Sequence, residues 1–148
     1  MTVARIGHGV RFMRSDGASP PTFEDLGELL EPAGPSLSRD AVEATHASSP
    51  DRYREFISGL RDAGEATATI ALDPNAGAST SHKKLMDDYE DDDAVPYRIL
   101  FPNAEGTAFD FTGFITNLEH AMPIDDRMTL SLTIKISGKP TLSNTVTP

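Results

Sequence analysis

The sequence has no cysteine and no tryptophan, only three tyrosines, and far fewer bases than acids. Without cysteine there is no disulfide scaffold, no cysteine-held zinc or iron–sulfur centre and no thiol catalysis, and the redox compartment stays open. Thirteen Lys and Arg against 23 Asp and Glu give a formal net charge of −10. That balance argues against a protein that grips nucleic acid through phosphate contacts. No stretch approaches the ~18 apolar residues of a membrane helix, and residues 1–14 lack the layout of a signal peptide. The reading is a soluble protein made in the cytoplasm. Apolar residues make up 38% of the 148. That is enough for one domain with one core, and lean enough that partners are expected to supply part of the burial.

Convergent polar motifs are scarce as well. His8, His46, His82 and His120 share no metal-ligand spacing. The acidic run Asp87, Asp88, Glu90, Asp91, Asp92 and Asp93 has neither the glycine nor the closing acid of a calcium loop. It reads as a solvated helix end, with contact to a base on a neighbouring subunit as the second reading. Asp125 and Asp126 follow Pro123 and read as a turn, because adjacent strand residues point to opposite faces and make a poor acid–base pair. Asp40, His46 and a serine form a triad only on paper, since no Gly-x-Ser-x-Gly elbow is present. Gly7-x-Gly9 lacks the third glycine of a nucleotide fingerprint. No catalytic, cofactor-binding or metal-binding residue is expected, and the chain is read as not an enzyme.

What is present is mostly β pattern. Val10 to Arg14 reads as a short strand before the breaker cluster Gly17-Ala-Ser-Pro-Pro-Thr22. Phe23 to Leu30 fits helix or strand, Gly27 weakens the helix, and Pro32-Ala-Gly-Pro35 closes the segment. Ala41 to Thr45 reads as a modest strand. Residues 49–64 carry the strongest local helix signal. Ser49 can cap, Pro50 suits the first helical position, and Tyr53, Phe56, Ile57 and Leu60 fall at i, i+3, i+4, i+7. Gly59 works against that helix by about 1 kcal/mol. Glu65 to Leu72 alternates as a strand, and a turn is expected over residues 73–77.

A helix is expected from Ser81 to Glu90, with His82, Leu85, Met86 and Tyr89 as its apolar stripe. Its charges oppose the helix dipole, with Lys83 and Lys84 at the start and acids at the end. Each misplaced charge costs roughly 0.3–1 kcal/mol, so a role other than helix stability is expected for them. The last third reads as strands at residues 97–101, 108–118 and 128–136. Met128, Leu130, Leu132, Ile134 and Ile136 lie on one face of the last, and Thr129, Ser131, Thr133 and Lys135 on the other. The tail, residues 140–148, would be disordered alone. The sum is a mainly antiparallel β-sandwich or barrel with one flanking helix.

Three stretches then carry a resemblance: Ser38-Arg-Asp-Ala-Val-Glu-Ala-Thr45, Ser49-Pro-Asp-Arg-Tyr-Arg-Glu-Phe-Ile57 and Asp62-Ala-Gly-Glu65. With Tyr97-Arg-Ile-Leu-Phe-Pro102, Phe111-Thr-Gly-Phe-Ile115 and Pro123-Ile-Asp-Asp-Arg-Met-Thr129 leading to Lys135-Ile-Ser-Gly-Lys-Pro140, the chain resembles the major tail tube proteins of long-tailed, non-contractile bacteriophages over roughly residues 36–142. The resemblance implies a virion structural protein whose subunits form hexameric rings stacked into a hollow tube. Its implied partners are further copies of itself, the tape measure protein, and the tail terminator and distal tail proteins. DNA would pass through without specific binding, and no membrane insertion or cofactor is implied.

The resemblance also replaces the helix over residues 49–64 with an irregular or partly helical loop, about residues 47–63, that packs on the adjacent ring. Tyr53, Arg54, Phe56, Ile57 and Leu60 are the candidate inter-ring contacts. Residues 1–22 form an N-terminal segment and residues 140–148 a C-terminal arm of a single tail tube domain. The alternatives are a secretion-type tube subunit of similar fold, or a small β-sandwich ligand-binding module. The lack of tryptophan counts against the second.

Overall fold

The computed structural model describes residues 6–15, 22–72, 81–103 and 105–144. Ten strands and one helix follow in chain order. They are β1 (Arg11–Ser15), β2 (Phe23–Asp25), β3 (Leu29–Ala33), β4 (Ser38–Glu43), β5 (Phe56–Asp62), β6 (Glu65–Ala71), α1 (Ser81–Glu90), β7 (Val95–Leu100), β8 (Ala108–Ala121), β9 (Thr129–Ile136) and β10 (Thr141–Ser143). Eight strands make one antiparallel sheet with the path β2-β1-β7-β8-β9-β6-β3, and β10 pairs with β8.

The ends of that path, β2 and β3, are joined by residues 26–28 alone. At ~3.3–3.6 Å per residue, so short a link holds the two ends close together. The sheet therefore curls round on itself as a barrel. Leu26 sits in the seam, 1% exposed, with its N–H on the Phe12 carbonyl at 3.1 Å.

The core follows from period-two alternation. Leu130, Leu132, Ile134 and Ile136 of β9 are buried, as are Ala66, Ala68 and Ile70 of β6 opposite them. Phe12, Tyr97 and Phe111 from β1, β7 and β8 meet with ring centroids 6.1–6.2 Å apart. β8 is the hub. One of its edges takes β7, and the other takes β9 and then β10. A register shift between Ile115 and Asn117 marks a bulge, which bends so long a strand around the barrel.

Several expectations change here. β3 runs through Pro32, which fits because β3 ends the path and an end strand need not donate every N–H. The helix expected over residues 49–64 is absent. A single 3₁₀ turn, Pro50–Arg52, is followed by extended chain and then by β5. Of the segment expected as an irregular or partly helical loop, residues 47–55 are irregular with that one 3₁₀ turn, whereas Phe56–Asp62 is a strand paired with β4. In the tail, Thr141–Ser143 is a strand on β8 of the same chain rather than disordered. The turn expected at residues 73–77 lies outside the described residues.

The helix falls where the pattern placed it, but its buried face differs. Leu85 is fully buried and Tyr89 is 52% exposed. The buried polar residue is Asp88, which the sequence reading assigned to a solvated helix end. It accepts two hydrogen bonds from Arg14 of β1, at 2.9 Å from Nε and 2.7 Å from Nη2, and a third from the Tyr97 hydroxyl at 3.1 Å. Burial tends to lower the Arg14 pKa, but the hydrogen bond and charge of Asp88 outweigh it, and the guanidinium lies above its ordinary value. Burial, reinforced by Asp88, pushes the Tyr97 phenol well above its ordinary value. Tyr97 is therefore neutral throughout the folded pH range, and its stabilising contribution fades only as pH rises past the unfolded value near 10.

Lys84, misplaced for the dipole, reaches Glu24 of β2 at 2.6 Å, and Glu24 also meets Arg14 at 3.3 Å. The helix is thus clamped to the barrel by charge as well as by Leu85. Breaking a buried ion pair from one side leaves an uncompensated charge, which costs roughly 3–5 kcal/mol. Asp88→Ala is expected to lose about 3 kcal/mol, the low end, because Arg14 keeps Glu24. Tyr97→Phe should lose about 1 kcal/mol. Urea unfolding of both variants checks the order; an Asp88→Ala loss no larger than that of Tyr97→Phe contradicts the clamp.

Candidate assembly surface

Between the paired strands β3 and β6 the chain leaves the barrel as a two-stranded antiparallel ribbon, β4–β5. Its base is tight. Gly34 lies at φ +110°, where a Cβ would meet Ala66 Cα at 2.7 Å, and Gly64 at φ +70° is pressed against Ser36. Both positions require glycine. At the end of β5, Asp62 accepts the Gly64 N–H at 2.8 Å and pairs with Lys135 of β9 at 3.0 Å. The Gly64 hydrogen bond, followed by Lys135, holds the Asp62 carboxyl below its ordinary value of 3.8.

The ribbon has a bulge where residues 59 and 60 face Asp40, since Arg39 pairs with Arg61 but Ala41 pairs with Ser58. Gly59 fits there because a Cβ would lie 3.0 Å from the Asp40 carbonyl. The tip is built on Glu55. Its N–H donates to Thr45 Oγ1 at 2.9 Å, its carbonyl accepts the Ala44 N–H at 2.8 Å, and its carboxylate accepts the Ser49 hydroxyl at 2.6 Å. Asp51 and Arg52 hold left-handed φ of 54° and 63°, a conformation that costs roughly 1–2 kcal/mol per residue.

None of the six residues of β4 or the seven of β5 is buried. Yet the ribbon is rich in apolar side chains. Leu60 is 88% exposed and Tyr53 75%, and Phe56, Ile57, Val42 and Leu37 are also exposed. Ile57 lies directly across from Val42. A two-stranded hairpin alone is marginally stable at best in water, and apolar side chains gathered in this way mark an interaction surface.

The structure brings four of the five sequence-predicted contact residues, Tyr53, Arg54, Phe56 and Ile57, to the tip and the adjoining start of β5. Leu60 sits further down, at the bulge. Val42 and Leu37 were missed, because the reading followed one helical stripe instead of pairing two strands. A cleft of about 590 Å³ lies at the ribbon base, lined by Leu37, Arg39, Arg61, Ile136 and Pro140 among others.

Elsewhere, His82 on α1 and His120 on β8 come together, Nε2 to Nε2 at 2.9 Å, though their sequence spacing gave no hint of it. Among the described residues no group of three or more His, Cys, Asp or Glu could hold a metal ion. No helix among them is long and apolar enough to cross a membrane.

The chain thus combines a curled antiparallel barrel, one clamped helix and one projecting apolar ribbon. The family model of the lambda phage tail tube protein, TTP, matches residues 9–143. The chain belongs to that family. It is a tail tube protein, a structural component of a virion tail.

Solved structures share the fold at low identity. The tail of an empty gene transfer agent particle, refined with C6 symmetry, is 15% identical with a TM-score of 0.75, over 95% of this chain and 99% of that one. The sheath/tube terminator of an extracellular contractile injection system, PVC, is 11% identical with a TM-score of 0.70, over 97% and 99%. The SPP1 tail tube is 13% identical with a TM-score of 0.64, over 97% and 81%. No curated protein matches the chain.

The Asp62 contacts give a prediction for this tail tube subunit. A carboxylate with a lowered folded pKa stabilises fully above its unfolded value and loses that contribution as pH falls through the folded one. The Gly64 amide proton shift, followed by NMR from pH 6 downward, should titrate with a midpoint below 3.8. A midpoint at or above 3.8 would show that the ribbon base is not held in this way.

Proposed function

We propose that this tail tube protein assembles into hexameric rings that stack into a hollow tube through which DNA passes, and that the β4–β5 ribbon is the element that docks one copy on the next. One observation carries the reading: an apolar ribbon of two strands has no buried residue within its own chain. A ring is a head-to-tail contact that closes. Stacking such rings gives each ribbon a second copy to cover it. The sixfold symmetry of the gene transfer agent tail supports the ring number. Tyr53, Arg54, Phe56, Ile57 and Leu60 are assigned to the contact between rings, now joined by Val42 on the facing strand. The bound partners are further copies, the tape measure protein inside the tube, and terminator and distal tail proteins at its ends.

Six subunits at −10 each carry roughly −60 per ring before screening. A wall of that sign repels DNA and lets it slide rather than stick. The role is mechanical and electrostatic, and the reading assigns no catalytic residue. A secretion-type tube would use the same barrel, and a contractile system does so; the family match to phage tail tubes favours the virion reading.

Negative-stain electron microscopy over a concentration series, with mass measurement alongside, tests the assembly. Wild type is expected to form hollow rings and stacked tubes of constant diameter. Leu60→Asp places a charge where burial is required. It should leave the melting curve almost unchanged, within about 0.5 kcal/mol for an exposed site, yet stop the rings from stacking. Normal tubes from Leu60→Asp would refute the ribbon's role.

A further inference from the structure

Resting on that reading, we infer that the ribbon tip docks into a groove between α1 and β8 of a second copy, where its arginines meet the acids that follow α1. Two halves of one contact are visible on the same chain.

The first half is basic and apolar. The ribbon carries Arg39, Arg52, Arg54 and Arg61, and none makes an ion pair among the described residues. Arginines on the barrel strands behave differently, although Arg127 between β8 and β9 makes no ion pair among the described residues either. Arg11 pairs with Asp25, Arg14 with Asp88 and Arg98 with Asp110. Arg52 and Arg54 thus stand unpaired beside Tyr53 and Phe56 on the element that has no cover, while Arg39 and Arg61 lie across from each other at its base.

The second half is acidic and grooved. Glu90, Asp91, Asp92 and Asp93 are exposed and make no ion pair among the described residues. They stand at the C-terminal end of α1, where the helix dipole disfavours negative charge. Asp93 donates its N–H to Asp91 at 3.0 Å, which fixes the turn but neutralises nothing. Beside them is a groove of about 210 Å³ lined by Met86, Tyr89, Leu118 and His120 among others. Tyr89, half exposed, forms one wall. The groove offers an apolar and aromatic surface for a ring, and the four carboxylates follow its wall residue Tyr89 directly in the chain, where Arg52 and Arg54 could meet them.

Complementary patches on one chain, unlike each other, make a heterologous contact, which propagates from copy to copy. Subunits of −10 repel one another, so a local match of opposite sign also sets the register in which they meet. The occupant is a second copy of this chain, because the matching basic and apolar element is present on the chain itself.

The absence of native cysteine permits a direct test. Arg54→Cys subunits and Asp92→Cys subunits are mixed in equal amounts and oxidised at concentrations spanning that at which wild type assembles. Circular dichroism first confirms that both fold. The expected product is a covalent heterodimer, well in excess of either homodimer and lost when Arg54→Cys is combined with Leu60→Asp. A second measurement uses charge reversal. Arg52→Glu with Arg54→Glu should raise the concentration needed for assembly by about tenfold or more. Adding Asp91→Arg and Asp92→Arg to the same chain should restore it. If Leu60→Asp stops stacking but no Arg54–Asp92 heterodimer forms and the reversal is not rescued, the ribbon docks elsewhere and this acceptor is wrong. If Leu60→Asp stacks normally, the underlying ribbon reading fails with it.

Discussion

Closure of the sheet is the constraint on which the rest depends. Residues 26–28 join the two ends of a seven-stranded path, so the sheet has to curl, and its alternating residues then face a single interior. That interior is filled from β1, β6, β7, β8 and β9, with Leu26 at the seam and Leu85 contributed by the helix. At ~25 cal/mol per Å² of apolar surface removed from water, this packing is the main stabilising term, offset largely by the entropy of ordering the chain. Once the barrel is closed it has no open face left for the ribbon. The ribbon is then held to the barrel at its base, by Gly34, Gly64 and the Asp62–Lys135 pair, while its apolar length remains in water.

The division of charge follows the same logic. Most cations of the barrel strands and helix are matched within the chain: Arg14 and Lys84 clamp α1 through Asp88 and Glu24, and Arg98 spans Asp110 and the Phe23 ring, 3.9 Å from its centroid. Ribbon cations are not matched. A subunit built in this way is complete in its core and incomplete at its surface, which is the form expected of a part that adds to identical parts. Such a part keeps its folding and its assembly nearly independent. On the proposed function, mutations in the core act on stability, and mutations on the ribbon act on association.

Much of the barrel could be read from residue order. Leu130, Leu132, Ile134 and Ile136 alternate with polar residues, so β9 declared both its structure and its buried face. The helix Ser81–Glu90 was legible from its stripe, and the wrongly placed Lys84 signalled a tertiary role that Glu24 explains. The ribbon was legible in position but not in conformation. Tyr53, Phe56, Ile57 and Leu60 fit a helical stripe by spacing, yet a strand that buries neither face within its own chain shows no period of two. The bulge at residues 59 and 60 disturbs the alternation further. Asp88 was missed because its partner Arg14 lies 74 residues away, and nothing local distinguishes it from the acids around it. The His82–His120 contact escaped notice for the same reason, with 38 residues between the rings.

The central claim is that the ribbon finds its burial only in another copy. Hydrogen–deuterium exchange of the backbone amides of β4 and β5, compared between the dispersed subunit and the assembled tube, tests it most directly. The account predicts rapid exchange along the ribbon in the subunit, slow exchange at β9 in both forms, and strong protection of the ribbon in the tube. Ribbon amides already as protected as those of β9 in the dispersed subunit, or left unprotected in the tube, would contradict it.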